Sequence, residues 1–271
     1  MHLNYITWNP DLYLIDLGFI GIRYYSLFFM LAFVAGYIVV KKQFKEHQVD
    51  LRLLDNLTIY VFLGTLIGAR LGHCLFYDFD YFSKHPLEIF IPVSFTPTFH
   101  VTGFQGLASH GGAIGILISL YLFSRKFKMN LWFLLDQIAL AVPLAGTCIR
   151  LGNLMNSEII GKPADVNWAF IFVQVDSVPR HPAQLYEAIV YFLIFLIMYF
   201  ILNKNPKPPG FYFGILLVLL FSSRLLIEFV KESQSAFENG LLLNMGQLLS
   251  IPFIVIGVAI IMIQSRKALR L

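Results

Sequence analysis

The chain is 271 residues long, 58% hydrophobic and only 13% charged, with 27 Phe and a net charge of +4. Soluble domains are about half apolar and about a quarter charged, so this composition excludes an ordinary soluble domain. The small, dispersed charge excludes a nucleic-acid footprint, and two cysteines, Cys74 and Cys148, are too few for a disulfide framework or a Cys-rich metal site.

In chain order, Met1 to Leu17 carries Asn4, Asp11 and Asp16 where a cleavable leader needs a basic start and a short apolar core, so the first span is expected to act as the insertion signal. Apolar stretches of roughly membrane length follow at 19–40, 54–77, 111–124, 131–149, 183–202, 211–230 and 247–264. They predict an all-α polytopic membrane protein with seven transmembrane helices. Lys41, Lys42, Lys45, Arg52, Arg125, Lys126, Lys128, Lys204, Lys207, Arg266, Lys267 and Arg270 fall on one set of connections. The opposite set holds Lys84, Arg150, Lys162, Arg180 and Lys231. Twelve basic residues against five put the first set in the cytoplasm, the N-terminus outside and the C-terminus inside. An odd number of spans requires that arrangement.

The long connections are the outer ones. Residues 78–110 contain Pro86, Pro92 and Pro97, with an extended pattern over Phe99 to Phe104. Residues 150–182 contain a β-branched and aromatic run, Trp168 to Val175, that predicts a short strand. Together they are expected to form a small outer head on one integral membrane domain, 1–271, for no repeat, linker or low-complexity run divides the chain.

The polar residues that matter lie where lipid gives way to water. Arg150, Asn153, Asn156 and Glu158 follow the apolar run Leu131 to Ile149. A charge at such a boundary is costly unless paired or used; a snorkelling helix end with a capped turn would also account for it. Arg23, Arg70 and Arg224 bring three more guanidinium groups into the outer half of the membrane. Arg70 and Arg224 each stand about 20 Å or more from the cytoplasmic face, at 1.5 Å of rise per residue. Four arginines at one depth suggest a basic pocket for an anionic headgroup. His110 heads the third span beside Gly111 and Gly112. Imidazole accepts a proton near neutral pH, and the glycines allow close approach. Arg180-His-Pro-Ala-Gln184-Leu-Tyr186-Glu187 opens the fifth span, with Gln184 and Glu187 on one face. Arg224 and Glu228 stand one turn apart in the sixth, and an in-helix ion pair between them is the plain expectation. Tyr24 and Tyr25 at the outer end of the first span read equally as interfacial aromatics. Scattered histidines without a His-Glu-x-x-His motif argue against metal chemistry.

These motifs resemble the prolipoprotein diacylglyceryl transferase family of bacterial inner membranes. Arg150-Leu-Gly-Asn-Leu-Met-Asn-Ser-Glu-Ile-Ile-Gly161 is similar to the family signature. His110-Gly-Gly, Arg180 to Glu187, Gly68-Ala-Arg-Leu-Gly72 and Met245 to Pro252 match further blocks in the same order. The resemblance implies transfer, on the periplasmic side, of diacylglyceryl from phosphatidylglycerol to the lipobox cysteine of a prolipoprotein signal peptide. A thioether forms and glycerol phosphate leaves, with no cofactor, metal or nucleic acid. It implies that Arg150 and Arg224 hold the lipid phosphate, that His110 is the base, and that Asn153 and Glu158 shape the headgroup site near Tyr25. Gly111, Glu228 and Arg70 complete the expected substrate-binding set. The chain departs from the family pattern at Ile149, where many members have glycine, and at Lys231 and Leu220, where some have arginine and tyrosine. The competing class is a lipid or anion transporter, which would place polar residues through the full membrane depth.

Overall fold

The computed structural model describes residues 5–16, 21–91, 93–94, 100–101, 106–202, 207–232 and 243–268. Pro92, Pro97, Phe99, Lys204 and Arg270, each used in the sequence reading, lie outside the described residues. Three short strands come first, β1 (Ile6–Trp8), β2 (Tyr13–Asp16) and β3 (Gly21–Arg23). The long helices α1 (Tyr24–Glu46) and α2 (Leu51–Phe76) follow, then the single turns α3 (Phe79–Phe82) and α4 (Leu87–Phe90) and the short pair β4 (Val93–Ser94) and β5 (His100–Val101). Helices α5 (Ser109–Phe127) and α6 (Leu131–Met155) precede β6 (Phe170–Phe172) and β7 (Pro179–Arg180). Helix α7 (Ala183–Leu196) runs into a π-helical turn (Ile197–Ile201), α8 (Phe211–Ile227) into a 3-10 turn (Glu228–Val230), and α9 (Met245–Ala268) closes the order.

Each of the seven stretches expected to be helical contains a helix, but the first begins only at Tyr24, because Gly21–Arg23 form β3 and pair with β2. Six of them (α1, α2, α6, α7, α8 and α9) are long and apolar enough to cross a membrane. The seventh, α5, carries His110, three glycines, Arg125 and Lys126, which lower its apolar character. Outward-facing side chains such as Ile38, Ile59 and Val255 are exposed, as suits helices solvated by lipid. Side-chain caps set the helix starts. Asp50 accepts from Arg52 N, and Asn130 accepts from Trp132 N and Phe133 N. Asn244 and Gln247 cap each other reciprocally, a capping box that begins α9.

The chain forms two compact units, Phe44–Leu134 and the remainder, Met1–Gln43 with Leu135–Leu271. In the first, α2 lies against α5 along a seam of small residues. A Cβ built on Gly115 would fall 2.0 Å from the Gly64 carbonyl oxygen, and one on Gly68 would fall 2.4 Å from that of Gly111. The backbones touch, which is how helices pack where lipid removes the hydrophobic drive between them.

In the second unit a three-stranded sheet has the order β1-β6-β7, with β1 parallel to β6 and β7 antiparallel to it. The strand expected over 168–175 is present as β6; its partner β1 has no alternating pattern to announce it. Trp8 packs against Phe170 with tilted rings, centroids 5.4 Å apart, and donates its indole N–H to the Leu154 carbonyl, so the sheet is fastened to the end of α6. Within the apolar part of α6, Asp136 is buried and accepts from Gly210 N at 2.6 Å and Phe213 N at 2.9 Å. It thereby caps α8 from another helix, a favourable place for a carboxylate at the positive end of a helix dipole.

Candidate functional site

The last turn of α6 and the loop after it build the centre of the site. Arg150 and Asn153 are one helical turn apart, and the Arg150 guanidinium donates to Asn153 Oδ1 at 3.1 Å. Asn153 then donates to Glu158 Oε2 at 3.2 Å, and Asn156 donates to Glu158 Oε1 at 3.1 Å. Glu158 is flanked by two residues with left-handed backbone, Ser157 (φ 53) and Ile159 (φ 58). A β-branched residue rarely adopts that conformation, which costs about 1–2 kcal/mol. The strain is held by the surroundings: Glu158 N donates to the Asn153 carbonyl, and Gln184 donates to the Glu158 carbonyl. Tyr25, at the head of α1, is close enough for the charges of Glu158 and Arg150 to act on it. Gly152 lets it come close, since a Cβ there would stand 3.1 Å from the Tyr25 ring.

Helix α7 supplies the counter-ion. Glu187 is wholly buried, and Arg150 Nε lies 2.8 Å from its Oε2 while Lys231 Nζ lies 3.7 Å from its Oε1. Lys231, also buried, donates to Glu228 Oε2 at 3.1 Å. Glu228 therefore pairs with Lys231 and not with Arg224. The reason is local: α8 ends at Ile227, and the 3-10 turn that follows sets residue 231 three positions beyond Glu228 against it. Glu228 is also pressed against the start of α9, where a Cβ on Gly246 would lie 2.5 Å from its carboxyl carbon. Tyr191 stands one turn beyond Glu187 on α7, its ring against Gly146, which is one turn before Arg150 on α6.

The loop after the centre is tied down by its own contacts. Gly161 has room for no side chain, because a Cβ would meet the His181 carbonyl oxygen at 2.5 Å and that of Val230 at 2.8 Å. Lys162 N donates to the Val230 carbonyl, and Arg180 binds Asp176 at 2.6 Å and Glu232 at 2.9 Å. The Arg180 hydrogen bond holds the Asp176 carboxyl below its ordinary value, and the same bond pushes the Arg180 guanidinium up.

The other unit holds three of the expected residues. His110 is exposed as the second residue of α5. Gly111 is buried in the glycine seam, where a Cβ would fall 2.2 Å from the Gly68 carbonyl oxygen. Arg70 is buried, donates to the carbonyls of Glu88 at 2.7 Å and Ile89 at 3.2 Å, and lies over the Phe82 ring. It thereby holds the short helices α3 and α4 onto α2. Among the described residues no group of three or more His, Cys, Asp or Glu is placed to hold a metal ion.

The model of the family "Prolipoprotein diacylglyceryl transferase" matches residues 12–263. A phosphatidylglycerol–prolipoprotein diacylglyceryl transferase of Bacteroides fragilis is 50% identical over 266 residues, covering 97% of this chain and 96% of its own. Those of Chloroherpeton thalassium and Tolumonas auensis are 45% and 41% identical, over 98% of this chain and 96% and 100% of their own. The chain belongs to the prolipoprotein diacylglyceryl transferase family. It is a transferase, and its signature residues Arg150, Asn153 and Glu158 form one connected hydrogen-bonded line in the structure. The sequence reading placed that line; it singled out Glu187 and Lys231 without assigning them to the site, and it passed over Tyr191. A signal for Glu187 was present: a lone acid one turn into an apolar helix needs a cation, and Arg150 needed an anion. Tyr191 carried none, since a tyrosine in an aromatic-rich span is indistinguishable from packing.

Proposed function

We propose that this chain transfers the diacylglyceryl group of phosphatidylglycerol to the lipobox cysteine of a prolipoprotein. The cysteine sulfur forms a bond to the glyceryl carbon, the carbon–oxygen bond to phosphate breaks, and glycerol phosphate leaves with the electron pair. The observation that carries the reading is a guanidinium, Arg150, held in an apolar bundle by Glu187 and Asn153. Fixed cations in a water-poor site stabilise a departing phosphate more strongly than they would in water. Asn153, Glu158 and Tyr25 lie against Arg150 and suit the hydroxyl-bearing headgroup. Lys231 and Glu228 set the electrostatics around Glu187 rather than meet the lipid first. His110 is the proposed acceptor of the thiol proton, on its chemistry and its place in the family block, because the thiolate is the nucleophile. Gly111 and Arg70 enter the reading as supports of the segment that carries His110.

The seven helices are read as seven spans, with the N-terminus and the loops 78–110 and 150–182 on the periplasmic face of a bacterial inner membrane. The support is the charge distribution, twelve basic residues on one set of connections against five on the other. Both substrates then reach the site from the membrane.

The test uses purified full-length protein in detergent with phosphatidylglycerol and a lipobox peptide, reading diacylglyceryl-peptide by mass spectrometry. Wild type is expected to form product. Arg150→Ala is expected to lose at least about 100-fold in rate, the size of effect seen when one transition-state donor is removed. Full turnover by His110→Gln would remove histidine from the base role and leave the arginines in theirs.

A further inference from the structure

We propose that Tyr191 is a third phosphate ligand of this site, its phenolic O–H donated to an oxygen of the phosphate held by Arg150 and Arg224, an inference that rests on the transferase reading above. Tyr191 belongs to a stripe on α7, with Gln184, Glu187 and Ala188, that is almost fully buried, and is itself 5% exposed. Its ring is fixed against α6, for a Cβ on Gly146 would stand 3.0 Å from it. A phenylalanine would fill that space equally well. The hydroxyl therefore answers to something other than packing, since a buried polar group costs free energy unless it is bonded.

Arg150 is the charge nearest it along the two helices: its ring meets Gly146, one turn before Arg150 on α6, and Glu187, one turn before Tyr191 on α7, binds Arg150. A guanidinium carries only N–H donors, so the phenol can accept from Arg150 but never donate to it, and its own hydrogen is left for another acceptor. The Arg224 charge also acts on Tyr191, and Arg224 Nε is buried without a hydrogen-bond partner among the described residues. A phenol O–H and a guanidinium N–H with protons to give inside an apolar bundle call for an anionic acceptor. The phosphodiester of a glycerophospholipid presents two non-bridging oxygens of that kind. As the sulfur–carbon bond forms and the carbon–oxygen bond breaks, the released electron pair adds charge to the phosphate, so the phenol bond strengthens along the reaction. Tyr191 keeps its own proton throughout; the thiol proton goes to the base.

The test compares wild type with Tyr191→Phe as full-length protein in detergent, with phosphatidylglycerol and a lipobox peptide. The expected result is a kcat lower by roughly 100-fold, the scale of one lost oxyanion donor, with KM for the lipid and the melting temperature little changed. A second measurement uses phosphatidylglycerol with one non-bridging oxygen replaced by sulfur, a poor acceptor. Wild type should discriminate between the two phosphorus diastereomers, and Tyr191→Phe should lose much of that discrimination because it has no donor to forfeit. A variant with kcat within about twofold of wild type overturns the inference. So does a slowed variant that keeps the full diastereomer preference, which would mean that Tyr191 acts only by holding Arg150. A wild type that forms no diacylglyceryl-peptide overturns the transferase reading, and this inference with it.

Discussion

Arg150 shows how a charge is made tolerable inside an apolar bundle. Its carboxylate partner is 0% exposed and Arg150 itself 15%, so the carboxylate has no water to fall back on. Removing one partner of such a pair is far costlier than the pair is worth, typically about 3–5 kcal/mol, because the survivor is left uncompensated. Glu187→Gln is therefore expected to destabilise the protein by about that amount, which denaturant titration in mixed micelles would measure. A loss under about 1 kcal/mol would mean that Arg150 finds another anion. The polar residues of the α6 end were legible in the sequence because Arg150, Asn153 and Glu158 are close along one chain. Their organisation by Glu187 and Lys231 was not, since those contacts join α6, α7 and the end of α8. For the same reason the expected Arg224–Glu228 pair gave way to Glu228–Lys231: helical spacing assumes an unbroken helix, and α8 stops one residue short of Glu228.

Helices α2 and α5 meet through backbone rather than side chains, and this makes their glycines unequal to others in the bundle. Gly115→Ala would thrust a methyl group to 2.0 Å from a carbonyl oxygen of the facing helix. Overpacking of this kind costs about 1–3 kcal/mol or more. Gly36→Ala in α1 has the opposite expectation, because the new Cβ would meet only the Ala141 methyl at 3.9 Å. There the gain in helix propensity should stabilise by about 0.5–1 kcal/mol. Thermal unfolding of the two variants beside wild type would show shifts of opposite sign; a shared sign would contradict the close seam. The sequence made these helices plain through length and apolarity, and the Gly68-Ala-Arg70-Leu-Gly72 block visible as a pattern. What the glycines do depends on the partner helix, which no local spacing specifies. Strands β1 and β3 were harder to see, since they are three residues each and too short to show alternation, whereas β6 was announced by its β-branched and aromatic run.

Across the whole chain the distribution of lysine and arginine predicts a definite orientation. In a Cys74→Ala, Cys148→Ala background, a cysteine at Ser83 should react with an impermeant maleimide added to spheroplasts, and one at Asn130 only after lysis. The reverse pattern would invert the proposed topology and place the Arg150 centre on the cytoplasmic side. The sheet that fastens the N-terminus to α6 adds a constraint of another sort. Ile6 pairs with Phe170 and Trp8 with Phe172, so the first strand made must wait for one made much later. At synthesis rates of about 5–20 residues per second, that interval is on the order of ten to thirty seconds. For that time the segment around Trp8 stands without its partner strand and without the Leu154 carbonyl that receives its indole. The order of manufacture thus leaves the N-terminal strand open while four long helices are still being made, a window in which a quality-control protease could tell a stalled chain from a finished one.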